Sequence, residues 1–208
     1  MKKLLTEFIG TFFLVFTVGM TVIAPGAGAL APLAIGLSLM VMVYAGGHVS
    51  GGYYNPAITI GVWLRKKLKG KEVLGYIVAQ ILGSMAASAL VLCLKGNPIE
   101  PMTHFEIIPA LIAEIVGTFA LVYVVLNTAT AKATAGNSHY GLAIGLTVTA
   151  MAFAVGPLSG GAFNPAVALG ISSMSLVAWG NFWVYLLGDF FGAWLAAVAF
   201  RAINPGDK

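Results

Sequence analysis

SGGYYNPAITIG, residues 50–61, and SGGAFNPAVALG, residues 159–170, decide how this chain is read. Each sets a glycine pair, Gly51 and Gly52 or Gly160 and Gly161, before an Asn-Pro-Ala triplet, and each triplet opens a short apolar run. Asn is a favoured helix N-cap and Pro suits the first helical position, so Asn55-Pro56-Ala57 and Asn164-Pro165-Ala166 each predict a helix start. The apolar runs, roughly 56–64 and 165–175, are too short to cross a bilayer. One copy alone would read as an ordinary capped helix.

Outward from these stretches, the whole chain repeats. TEFIGTFFLVF from Thr6 matches AEIVGTFALVY from Ala113 at six of eleven positions, and LAIGLS at 33–38 matches LAIGLT at 142–147. Tyr76, Gln80 and Gly83 precede Tyr185, Asp189 and Gly192 by 109 residues, the separation of the two triplets. Long apolar runs near 4–24, 31–46, 73–94, 107–126, 140–156 and 178–200 predict membrane spans. Each half, 1–101 and 102–208, then holds three spans and one half-span. An odd number of spans inverts the second half, so the half-spans enter from opposite faces and meet near the midplane, where such folds place a functional site. The glycine-rich backbone before each triplet is tolerable at that depth only where protein buries it or it lines a wet cavity.

Composition agrees. Of 208 residues 59% are hydrophobic and 9% charged, against about a quarter charged in a soluble domain. The predicted fold is an all-α integral membrane protein, six transmembrane helices plus two half-spanning helices, forming a single domain. Lys2, Lys3, an apolar run and Ala27-Gly28-Ala29 also fit a cleaved signal peptide, but Glu7 sits poorly in one and the repeat needs this segment. Alternating spans put Lys2, Lys3, Arg65, Lys66, Lys67, Lys69, Lys71, Lys132, Arg201 and Lys208 on one side and Lys95 alone on the other. The positive-inside rule then places both termini in the cytoplasm. The Arg65–Lys71 cluster reads as a topology signal, with a lipid-headgroup site as the alternative.

Other chemistries find no support. Cys93 is the single cysteine, and His48, His104 and His139 are scattered without a metal-ligand spacing. No phosphate-binding loop or nucleophile–base constellation appears, and a net charge of +4 is no nucleic-acid footprint. No cofactor, metal or nucleic-acid partner is expected. An ion-coupled transporter would need a titratable pair at the midplane, whereas Glu7 and Glu114 are expected toward span ends. An ammonia or formate-type channel would need a midpore His or Lys.

With its motifs spread from Glu7 to Gly192, the sequence resembles the aquaporin family. The resemblance implies a passive channel for water and small neutral solutes in the plasma membrane bilayer, assembled as a homotetramer, and no enzyme. In that family the residues matching Glu7 and Glu114 brace the pore loops by accepting backbone hydrogen bonds. Gln80 and Asp189 are expected to support them, and a proton relay is the rival role. Carbonyls from Gly51, Gly52, Tyr53, Gly160 and Ala162 would replace water's lost hydrogen bonds. Each asparagine would cap its half-helix through its oxygen and offer its NH2 to passing water.

The family's narrowest ring usually holds an Arg three residues after the second triplet's Asn; here Val167 stands there. The other ring positions map to Ile35, Ala152 and Gly161. This ring is apolar and expected to be wide. Glycerol facilitators carry Arg-Asp where this chain has Val167-Ala168, and bacterial water channels commonly carry His where it has Tyr53. Phe163 is an aromatic that could close the gap. His48 is expected to pack its loop rather than gate the pore. Gly141, Gly145, Gly188 and Gly192 form small-xxx-small spacings suited to close helix packing.

Overall fold

A computed structural model of the chain describes residues 1–96 and 105–207. The expected boundary between the halves, at 101 and 102, lies outside the described residues, as do His104 and Lys208. Among the described residues eight α-helices carry the fold: α1 (Lys2–Val22), α2 (Ala31–Ser50), α3 (Pro56–Leu64), α4 (Gly70–Lys95), α5 (Ile107–Val125), α6 (Tyr140–Ser159), α7 (Pro165–Ser173) and α8 (Phe182–Ile203). Six are long and apolar enough to cross a membrane. The other two, α3 and α7, are the short helices after the Asn-Pro-Ala starts.

The second and fifth spans run further than the sequence suggests. Instead of ending near 46 and 156, α2 and α6 continue to Ser50 and Ser159, the latter through Pro157. A backbone in apolar surroundings must satisfy its own hydrogen bonds, so the helix persists until a residue can reverse the chain. That residue is Gly51 (φ 98°) or Gly160 (φ 91°), left-handed C-caps whose N–H groups bond back to Gly47 and Gly156. Glu7 and Glu114 also lie deeper than expected, in the first half of α1 and of α5 rather than at span ends.

Packing repeats as the sequence does. α1 lies against α4, α5 against α8, and α2 crosses α6 between the halves. Glycines set the close approaches. A methyl group on Gly83 would stand 2.4 Å from the Phe8 carbonyl oxygen, one on Gly192 2.6 Å from that of Ile115, and one on Gly145 2.4 Å from that of Gly36. Outward, large apolar side chains such as Ile112, Leu187 and Trp194 stay exposed, a surface suited to lipid.

The two ends differ in charge. At one, Lys3 pairs with Glu72 at 3.0 Å and Arg65 with Asp207 at 2.7 Å. The Arg65 guanidinium also lies 4.5 Å from the centre of the Phe200 ring. Arg201 donates to the Leu64 carbonyl, a cation at the negative end of α3. At the other end Lys95 reaches the carbonyl oxygens of Ile23 and Pro25.

Candidate functional site

Both short helices begin as their sequences require. Asn55 and Asn164 are extended N-caps, and each side-chain oxygen accepts from the next two backbone amides, at 2.8 and 3.4 Å for Asn55 and 2.9 and 3.4 Å for Asn164. The amide nitrogens do something that local reasoning misses. Asn55 Nδ2 donates to the Phe163 carbonyl at 2.8 Å, and Asn164 Nδ2 donates to the Tyr54 carbonyl at 2.9 Å. A primary amide has two hydrogens to donate, so one from each asparagine is committed to the opposite loop and one remains.

Glu7 and Glu114 hold those loops. Glu7 accepts from Ser50 Oγ (2.6 Å), Tyr53 N (3.0 Å), Tyr54 N (2.7 Å) and Gln80 Nε2 (2.8 Å). Glu114 accepts from Ser159 Oγ (2.6 Å), Ala162 N (3.0 Å) and Phe163 N (2.7 Å). Both are fully buried, and a buried carboxylate is tolerable only with such a set of donors. Tyr76 and Tyr185 donate their hydroxyls to the carbonyls of Ser50 and Ser159, anchoring the loop starts. At the Gln80 position the halves diverge. Asp189 takes a bond from Thr118 at 2.8 Å, and its Oδ2 has no partner among the described residues.

Tyr54 and Phe163, just before the asparagines, both sit in the left-handed region at φ 50°. Their rings fill space left by two glycines. A methyl group on Gly10 would fall 2.1 Å from Tyr54, and one on Gly117 2.2 Å from Phe163. Sequence reasoning overlooked Tyr54, Gly10 and Gly117 and gave Phe163 a different part. The clue was present, because Glu-x-x-Gly occurs in both halves at Glu7–Gly10 and Glu114–Gly117.

Around the asparagines is a cavity of about 20 Å³, and its walls are pairs of repeat-equivalent residues: Leu14 with Leu121, Leu39 with Val148, Tyr53 with Ala162, Asn55 with Asn164, Ile58 with Val167. This waist adjoins an outer cavity of about 240 Å³, toward the Lys95 end, through Val167, which walls both. Ile35, Gly160 and Gly161 also line the outer cavity, together with Val18, Val22, Ile171, Leu176 and Val177. Three of the four expected ring residues therefore meet there. Ala152, half-buried on α6 and packed against the apolar core, is not in that wall.

On the other side of the waist Tyr53 packs on Gly51, where a methyl group would lie 2.6 Å from the ring. Gly51 in turn lines an inner cavity of about 300 Å³ at the basic end, with His48, Thr128, Asn137 and Tyr140. His48, expected to pack its loop, is exposed in the last turn of α2 and lines that cavity. Gly52 stays with the loop brace, donating to Ser50 Oγ at 3.1 Å as Gly161 donates to Ser159 Oγ at 3.0 Å.

Six spans around two half-helices that meet nose to nose on a chain of cavities make a membrane channel. The chain belongs to the major intrinsic protein family, whose profile matches residues 1–200. It resembles Aquaporin AqpM of Methanothermobacter thermautotrophicus, 33% identical over 98% of this chain and 97% of that protein. It is 36% identical to the Glycerol uptake facilitator protein-like 6 of Lactiplantibacillus plantarum, across 100% of both. Its fold matches the X-ray structure of the aquaglyceroporin from Plasmodium falciparum with a TM-score of 0.82, covering 98% of this chain and 97% of that one at 23% identity. Members of this family are passive channels, not enzymes, and this chain is one of them.

Proposed function

We propose that this channel passes water and small uncharged solutes (glycerol, urea or neutral metalloid hydroxides) through a wide apolar outer ring, and turns back ions and protons at the waist. The observation that carries this is the crossed pair of asparagine amides between two half-helix N-termini. Each N-terminus bears about half a positive charge, and two facing each other in a low-dielectric interior oppose any cation. Each asparagine keeps one N–H for a passing water oxygen. A water held through its oxygen is a poor acceptor for a neighbour's proton, which breaks a proton wire.

The outer ring adds no charge to this barrier, since Val167, Ile35 and Gly161 are apolar. Ion exclusion therefore rests on the half-helix ends. Glu7 and Glu114 hold the loops rather than relay protons, a reading supported by the two loop amides that each carboxylate accepts from. We further propose two inverted halves, 1–101 and 102–208, a homotetramer, and a plasma-membrane setting with both termini cytoplasmic. The gathering of Lys3, Arg65 and Arg201 at one end supports that orientation.

Stopped-flow light scattering on proteoliposomes tests the proposal. The protein should speed water flux and, less strongly, glycerol and urea flux. Val167→Arg should cut the larger solutes far more than water. Proteoliposomes no more permeable to water than protein-free liposomes would overturn the reading. A water-only channel is the second reading, favoured by the small waist, and it requires glycerol flux equal to that of protein-free liposomes.

A further inference from the structure

We infer that solute size is selected at the asparagine waist, with Leu39, Val148 and Tyr53 as the specificity-determining side chains, and not at the outer ring. This rests on the channel reading above. The outer cavity walled by Ile35, Gly161 and Val167 holds about 240 Å³, whereas the waist holds about 20 Å³. A cavity needs about 10–15 Å³ of such volume to hold one water, so the waist has room for a single water.

Its walls have little freedom to yield. Leu39 on α2 and Val148 on α6 are 3% and 8% exposed, packed in the core at repeat-equivalent positions. Tyr53 is tied by its N–H to Glu7 at 3.0 Å, and its ring is caught between Gly51 and Tyr76, the two tyrosine rings 5.4 Å apart. The asparagine amides are fixed by their crossed bonds. Protein interiors pack at crystal-like density, so a wider solute must displace these side chains rather than compress them. The repeat partner of Tyr53 is only Ala162, so the narrowing comes mainly from the basic end. A fitting solute is slender, offers an acceptor to the remaining asparagine N–H groups, and presents C–H surface to Leu39 and Val148.

The test compares glycerol-to-water permeability ratios in proteoliposomes for wild type, Leu39→Ala, Val148→Ala and Ile35→Ala. A cooperative thermal transition in detergent reports that each variant is folded, and two waist variants on different helices guard against one failing to fold. The waist variants should raise the ratio roughly tenfold, as a modestly lowered barrier does, and Ile35→Ala should raise it less. Ile35→Ala raising the ratio as much as the waist variants, or neither folded waist variant raising it, would overturn the inference. Wild type that passes no water would instead refute the channel reading itself.

Discussion

The side-chain amide of Asn55 donates to the Phe163 carbonyl across 2.8 Å, so the cap of one half-helix is also a tie to the opposite half. Asn164 returns the tie to Tyr54 at 2.9 Å. Each receiving carbonyl is aimed by a carboxylate behind it. Glu114 holds the Phe163 N–H and Glu7 holds the Tyr54 N–H, both at 2.7 Å. The glutamate of each half thus orients the partner of the other half's asparagine.

Replacing Asn164 by Asp tests the tie and the charge barrier together. The carboxylate still caps α7 but cannot donate to Tyr54, and the carbonyl left unpaired should cost about 1–3 kcal/mol. Its negative charge also offsets the half-helix ends in a low-dielectric site. We expect a lower unfolding temperature and a measurable proton or sodium leak in proteoliposomes. A folded, water-conducting variant with no leak would argue against the half-helix barrier as the main filter.

Asp189→Asn should stabilise the protein. Asp189 is fully buried beside Glu114, accepts from Thr118 at 2.8 Å, and has one oxygen without a partner among the described residues. Asn keeps the shape and supplies a donor, as Gln80 does for Glu7 at 2.8 Å. A gain of about 1 kcal/mol is expected, read as a higher melting temperature in detergent. A clear loss would mean that Asp189 serves a part the Gln80 comparison does not capture.

Gly117→Ala and Gly10→Ala should each destabilise the loops, because the added methyl would meet Phe163 or Tyr54 at 2.2 or 2.1 Å. Overpacking of this kind costs about 1–3 kcal/mol. Gly156→Ala is the control, since a methyl there meets nothing within 4 Å. Thermal unfolding and water flux of the three variants check this, and equal tolerance of all three would dismiss the ring-in-glycine fit.

Acid should loosen the basic end. The Lys132 amide donating to Asp207, with the Arg65 guanidinium beside it, holds the Asp207 carboxyl below the usual carboxylate range. A lowered folded value means the contact stabilises above the unfolded value of about 3.9 and is lost as pH falls through the folded one. Asp207→Asn should therefore be less stable than wild type near neutral pH, and the two should converge as pH falls below the unfolded value of about 3.9. A difference that stays constant with pH would show that the charge is immaterial.

Mercurials should leave water flux nearly unchanged. Cys93 is exposed near the end of α4 and lines neither the outer cavity, the waist nor the inner cavity. Strong inhibition that disappears in Cys93→Ala would place this residue on the conduction path after all.

What the sequence determined by itself is local or periodic. Long apolar runs announce six spans because a bilayer demands about 20 apolar residues per helix. The Asn-Pro starts of α3 and α7 were legible because a capping oxygen reaches amides only two and three residues away. The inverted halves followed from repeated motifs and an odd number of spans. Tertiary structure alone decided the rest. Which carbonyl receives the second function of Asn55 depends on where a loop 108 residues further on comes to lie. That Ala152 stands outside the outer cavity, that His48 is exposed beside the inner one, and that Tyr53 and Val167 both wall the waist are outcomes of how the helices pack. A clearance of a few ångströms is the small difference between large packed volumes, and no residue spacing encodes it.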